Sequence, residues 1–241
     1  MLFAVVSDLH GNIEAVKAVW RELDDVSRIY CLGDIVGIGP RPGEVLDMVL
    51  SDPRLARVKG NHDHNTLNLT ELGPIRTLHR GPHHLWIRGK LTAAQIGSLD
   101  SPVHLQESMD GVRLSFMHRH PTDFHSKVPY FDEPTSNVLD DFYSDVMSDV
   151  LFFGHTHVPL DMEGAGGKRY INPGAVGVQN GGLASYALAE VIEGAVRIER
   201  RTVRYDLDKV IEDLNEQRAP FAESIVSNFF RGPPAHGTGK D

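Results

Sequence analysis

Hydrophobic positions along the chain fall into short blocks that alternate between unbroken apolar runs and helical spacing. Residues 2–6 are continuously apolar, the pattern of a strand buried on both faces, and the run stops at Ser7-Asp8. Ile13, Val16, Trp20 and Leu23 then recur three, four and three apart, with Glu14, Lys17, Arg21 and Glu22 on the opposite side. That spacing predicts an amphipathic helix. The same order repeats, with a strand over 28–32 ending at Gly33-Asp34, a Gly/Pro-rich loop, and a helix over 42–50 in which Pro42 suits the first turn. A short strand over 56–58 runs into Gly60-Asn61-His62-Asp63.

Residues 64–108 carry a weaker pattern, read as helices and loops, with a helix over 92–99 where Thr92 and Gln95 have capping-box spacing. Residues 112–117 lead as a strand into His118, and 150–153 into Gly154-His155-Thr156-His157. Residues 168–171 lead to Asn172-Pro173-Gly174, while 185–191 and 195–203, joined through Glu193-Gly194, read as a hairpin. Asp206 can cap a helix carrying Leu207, Val210, Ile211 and Leu214. Antiparallel strands therefore join parallel ones in an α/β chain, expected as one domain over 1–230 with a Gly/Pro-rich, disordered tail over 231–241.

Composition narrows the possibilities. A chain of 241 residues can bury a full core, and no apolar run reaches the roughly 18 residues needed to span a bilayer, so no membrane partner is expected. The N-terminus has neither a basic region nor a long apolar one, which predicts a cytoplasmic protein, and Cys31, the single cysteine, suits a reducing compartment. The net charge of −9, without an offsetting basic stripe, argues against an extended nucleic-acid surface. A small phosphorylated substrate, nucleotides included, remains open because bound divalent cations would invert the local sign of an acidic site. Nothing in the pattern speaks to oligomeric state. The unusual count is histidine, with 13.

The polar clusters that interrupt this pattern lie just past the carboxyl ends of the predicted strands, where open α/β sheets place their ligand sites. Asp8-Leu9-His10 offers a carboxylate and an imidazole able to bend onto one ion, although such a triplet alone arises often by chance. Asp34 follows a residue without a side chain and has two oxygens with which to bridge two cations; alone, Gly-Asp more often marks a turn. Asn61 and His62 are adjacent and must point different ways, suiting one as ligand and the other as acid, or else a polar turn. A lone His118 is more often a hydrogen-bonded core residue. His155 and His157, two imidazoles after a glycine at the end of a buried strand, would be poorly satisfied unless something binds them.

Taken in order, Asp8-x-His10, Gly33-Asp34, Gly60-Asn61-His62-Asp63, His118 and Gly154-His155-Thr156-His157 resemble the signature of the calcineurin-like metallophosphoesterases. Ser7-Asp8-Leu9-His10-Gly11-Asn12, Gly33-Asp34-Ile35-Val36-Gly37 and Ile171-Asn172-Pro173-Gly174-Ala175-Val176-Gly177 look most like the small prokaryotic phosphodiesterase-type branch, over residues 1 to about 205. The resemblance implies two mixed β-sheets packed face to face with flanking helices, a four-layer sandwich. It implies that Asp8, His10, Asp34 and His157 hold one divalent ion and Asp34, Asn61, His118 and His155 a second. It also implies that His62 stabilises the transition state or protonates the leaving oxygen, and that a hydroxide between the ions attacks in line. The mixed oxygen and nitrogen donors suit manganese, iron, zinc or nickel.

One departure stands out: the family usually has glycine after the fourth-motif histidine, whereas this chain reads His118-Arg119-His120. Arg119 is open to two readings, a clamp for substrate phosphate or a solvated surface arginine. His64, His79, His83, His84, His104, His125 and His236 match no motif and are mostly assigned to core or surface. The leading expectation is hydrolysis of a phosphodiester. A phosphomonoesterase and a dinucleoside polyphosphate hydrolase are the nearest alternatives, and a non-catalytic metal-binding scaffold or regulatory protein the distant ones.

Overall fold

The computed structural model describes residues 1–69, 81–122 and 134–231, so the predicted tail beyond Arg231, and with it His79, His125 and His236, lies outside the described residues. Strands β1 (Leu2–Val6), β2 (Arg28–Cys31) and β3 (Leu55–Arg57) run parallel, each apolar run ending where a polar loop begins. The second group comprises β4 (His104–Met109), β5 (Val112–Met117), β6 (Val150–Phe153), β7 (Leu160–Glu163) and β8 (Arg169–Asn172). The predicted hairpin is β9 (Leu183–Ile192) and β10 (Ala195–Arg204), with Glu193 and Gly194 both at positive φ in the tight turn. Pairing gives two mixed five-stranded sheets, ordered β10-β9-β1-β2-β3 and β4-β5-β6-β8-β7.

The period-two alternation of each strand decides what lies between the sheets. Phe3, Val5, Tyr30, Leu32, Ala187 and Ala189 from the first sheet meet Leu114, Phe116, Val150, Phe152 and Ile171 from the second. At its centre Phe116 stacks between Tyr30 and Phe152, with ring centroids 3.9 and 5.0 Å apart, and Phe3 sets its edge against all three. The opposite face of the first sheet, with Ala4, Val6, Ile29 and Cys31, is covered by α1 (Ile13–Trp20) and α2 (Pro42–Leu50). Outside the second sheet, Met117, Leu151, Phe153 and Tyr170 pack with Leu139 of a helix over Ser136–Phe142. Helices, sheet, sheet and helix make the four layers expected.

Three differences from the sequence expectation have physical reasons. Gly60-Asn61-His62-Asp63 is not a loop: Gly60 caps α3 (Asn61–Leu67), whose first turn is tied back by the Asp63 carboxylate accepting from Gly60 N–H at 3.1 Å. Strands β4 and β7 sit at the two edges of the second sheet, where polar residues satisfy the exposed side and blur the apolar pattern. The turn into β5 does carry a signal, because Asp110-Gly111, both at positive φ, is the pair that two-residue hairpins favour. Among the described residues the other α-helices are α4 (Gly81–Gly89), α5 (Ala93–Ser98, capped reciprocally by Thr92 and Gln95), α6 (Ser136–Phe142), α7 (Leu207–Glu216) and α8 (Ala222–Ile225). Among the described residues no helix is long and apolar enough to cross a membrane.

Phe116 is fully enclosed by aromatic neighbours from both sheets. Phe116→Ala should therefore destabilise the fold by about 3–5 kcal/mol through lost burial and the cavity left behind. Urea unfolding monitored by circular dichroism checks this, and a midpoint unchanged from wild type would refute the placement of the core.

Candidate metal centre

The carboxyl ends of β1, β2, β5 and β6, with the start of α3 after β3, converge at one edge of the sandwich and bring together all seven predicted metal ligands. Asp8, His10, Asp34, His155 and His157 each have positive φ, between 48° and 70°. Side chains with a Cβ rarely adopt this left-handed region, at a cost of order 1–3 kcal/mol each. Here neighbouring loops hold it in place: Asp8 N–H donates to Gly33 O at 3.0 Å, His10 N–H to Asp34 O at 2.8 Å, and Gly11 N–H to Ile35 O at 2.9 Å. Gly37 fits beneath these rings because a Cβ there would approach Nδ1 of His10 and of His62 to 2.7 Å. A Cβ at Gly60 would run into Asp34.

Asp8, Asp34 and His118 share one arrangement, in which one polar atom is tied to the protein and the other turns into the cleft. Asp8 Oδ2 accepts from Ser7 Oγ at 2.6 Å and from His155 N–H at 3.1 Å. Its Oδ1 is buried and receives no hydrogen bond, yet Nε2 of His157, His10 and His118 stand 3.2, 3.7 and 4.0 Å away. Asp34 Oδ1 accepts from His62 N–H at 2.7 Å, leaving Oδ2 at 3.2 Å from His118 Nε2 and 3.8 Å from His10 Nε2. Asp34 thus has Oδ1 held by the backbone and Oδ2 turned toward the imidazole nitrogens. His118 Nδ1–H donates to Leu32 O at 2.9 Å, which fixes the tautomer and turns Nε2 toward Asn61 Oδ1, 3.1 Å away.

Charge explains why these groups tolerate burial. Burial by itself would raise Asp8, but the imidazoles of His157 and His118 hold it well below the usual carboxylate range; Asp34 is likewise held down, against burial, by His118 and His62. Burial pushes His10 down to about 4 and, with His118 and Arg119, His155 down to about 3. His118 goes the other way: Asp34 and Asp8 outweigh its burial and raise it to about 9. Asp63 is raised to about 7 by burial and by Asp34, while its Oδ1 accepts from Val36 N–H at 3.1 Å and so ties α3 to the loop after β2.

Asp8, His10, Asp34 and His118 form a fully buried floor, while Asn61, His62, His155 and His157 are partly accessible and line the opening. The surface reading of Arg119 does not hold, because the residue is 4% exposed and its guanidinium depresses His155. His62 stands with its ring 4.9 Å from His10 and 5.3 Å from His84, and burial, reinforced by those two imidazoles, keeps it well below the ordinary histidine range. His84, assigned from sequence to core or surface, is thus part of the cleft wall; no motif flagged it because the contact forms across α3 and α4. His83 beside it faces Gly37 O at 2.9 Å and Pro220 O at 3.1 Å.

Several donor atoms crowd together, His10 Nε2 and His157 Nε2 at 3.1 Å among them, as expected of ligands around one cation, where donors about 2.0–2.2 Å from the ion stand about 3 Å or slightly more from each other. Asp8, His10 and His157 form one such group, and Asp8, Asp34 and His118 another. His62 also comes within range of His10 and Asp34. The two carboxylates, the imidazoles and the amide oxygen of Asn61 make a donor set that fits divalent cations.

Comparison with known proteins agrees with this chemistry. Residues 1–194 match the calcineurin-like phosphoesterase superfamily domain. An uncharacterized protein of Methanocaldococcus jannaschii is 32% identical over 240 residues, covering 91% of this chain and 94% of that protein. A metallophosphoesterase from Sphaerobacter thermophilus superposes with a TM-score of 0.74 at 28% identity, covering 94% of this chain and 96% of its own. A hypothetical protein from Pyrococcus horikoshii shares the fold, with a TM-score of 0.82 at 18% identity over 97% and 99% of the two chains.

With His118 raised to about 9, the metal-free protein carries a proton on this imidazole at neutral pH, and a cation must displace it. Metal binding near pH 7 should release about one proton from this residue, and affinity should rise with pH up to about 9, roughly tenfold per unit for each proton displaced. Calorimetric titration in buffers of different ionisation enthalpy measures the release; binding independent of pH between 6 and 8 would contradict it.

Proposed function

The chain belongs to the calcineurin-like phosphoesterase superfamily, which makes it a metal-dependent phosphoric ester hydrolase, and we propose that its substrate is a phosphodiester hydrolysed between two divalent cations. The observation that carries this reading is the convergence of Asp8 Oδ1, Asp34 Oδ2 and the Nε2 atoms of His10, His118 and His157 on one cleft, with both carboxylates anchored from behind. Asp8, His10, Asp34 and His157 would hold one cation, and Asp34, Asn61, His118 and His155 the other. Bound there, manganese or a similar divalent ion would supply an activated water at neutral pH and neutralise charge on the phosphoryl oxygens.

The rest of the chemistry falls to the chain's own side chains. Asp34, held by both sites, would set their spacing, and its Oδ1 accepting from His62 N–H would couple that spacing to the position of His62. In the free cleft, burial and the flanking imidazoles of His10 and His84 hold His62 well below the ordinary histidine range. An anionic ester lying against the ring would raise its proton affinity, and the imidazolium formed by taking up a proton from solvent would give that proton to the departing oxygen. Arg119, buried beside His155, would pair with a non-bridging phosphoryl oxygen, and one guanidinium suits the single negative charge of a diester.

Chelation should abolish turnover of bis(p-nitrophenyl) phosphate, and titrating manganese, iron, zinc or nickel back should restore it. Full activity in demetallated protein would sink the metal mechanism, and faster hydrolysis of p-nitrophenyl phosphate would move the substrate to monoesters.

The role of His62 makes a sharper demand. His62→Ala should cost about 10²- to 10⁴-fold in rate on a diester with an alkoxide leaving group and far less on one that releases nitrophenolate, with bound metal unchanged. Equal losses on two diesters differing only in leaving-group acidity would leave charge stabilisation, not proton donation, as its role.

A further inference from the structure

Residues beyond the matched family domain fold back onto the cleft. Helix α7 buries Val210 and Leu214 against Ile38, Ala175 and Val178, residues of the loops that follow the metal motifs. Arg41 grips Asp213 through two hydrogen bonds of 3.0 and 2.8 Å, and the His83 ring sits between Pro220 O and Gly37 O, able to donate to either. The segment ends in a π-helical turn over Val226–Phe230, closed by Arg231 N–H donating to Val226 O at 2.9 Å. Such turns are uncommon and recur at functional sites, because the wider turn redirects successive side chains. Here it separates two neighbouring phenylalanines: Phe230 is fully buried as the anchor, with its carbonyl accepting from Gly181 N–H, while Phe229 is only partly buried at the edge of the same apolar cluster.

The Phe229 ring lies 6.2 Å from that of His157, which unlike the buried floor keeps 21% of its side chain accessible. Phe229 therefore stands at the open rim of the cleft, beside one of its partly accessible ligands. We infer that Phe229 is a specificity-determining residue that packs against an aromatic group carried by the phosphorus ester, a nucleobase or an aryl ring. The inference rests on the proposed reading of the cleft as a phosphoryl site and adds the chemical class of the ester's substituent. A flat apolar face held by a buried neighbour suits stacking, since the ring is pre-positioned and loses little freedom on binding.

Phenylphosphonate and methylphosphonate share a phosphoryl group that cannot be hydrolysed and differ only in the ring. Titrated calorimetrically into the manganese-loaded wild-type protein, phenylphosphonate should bind about tenfold more tightly. Phe229→Leu, which keeps apolar packing but removes the aromatic face, should bring the ratio of affinities toward one, and Phe229→Trp should preserve it. A purely structural role would weaken both ligands together and leave the ratio intact. That result, or a wild type without preference for the ring, would overturn the inference. Because the readout is binding, absent diester turnover would count against the proposed reaction while leaving the contrast between the two phosphonates to decide on Phe229.

Discussion

Two carboxylates, Asp8 and Asp34, lie wholly buried in one cleft and remain ionised, and the rest of the structure answers to that constraint. Two buried like charges are costly unless cations and hydrogen bonds compensate them. Each acid therefore has one oxygen fixed by backbone N–H groups or a hydroxyl, and each turns the other toward imidazole nitrogens. In the metal-free protein the proton on His118 provides part of the compensation. A divalent ion placed among the same atoms would provide more, which links stability of the cleft to the chemistry it performs.

The left-handed residues are the local consequence. A strand leaving the sheet must turn within one or two residues to direct its side chain inward, and at Asp8, His10, Asp34, His155 and His157 it does so at positive φ. The strain is tolerable because the two sheets fix the strand ends on either side. The aromatic stack of Tyr30, Phe116 and Phe152 holds the sheets face to face, and Asp63 pins the first turn of α3 to the loop after β2. The C-terminal segment adds a layer outside this frame, bolted through Asp213 and His83 to loops that already carry ligands.

Much of the sandwich was legible along the chain. The apolar runs and the hairpin at Glu193-Gly194 mark strands that are buried on at least one face, where burial itself imposes the pattern. β4 and β7 escaped because an edge strand with one wet face mixes Gln, Glu and Asp into its alternation. Helix α3 escaped because its first turn consists of polar residues used by the cleft, so its sequence reports chemistry and not amphipathicity.

By itself the sequence determined which residue types gather after each strand, and hence the donor set of Asp8, His10, Asp34, Asn61, His118, His155 and His157, because those clusters interrupt apolar runs at regular places. Only the tertiary structure decided what their individual atoms do. That Asp34 turns one oxygen to the cleft, that Arg119 is buried, that His84 stands against His62 and that Phe229 reaches His157 all depend on contacts between segments far apart in the chain. Periodicity records only whether a position is wet or dry; which distant group it meets is set when the two sheets and the C-terminal segment pack together.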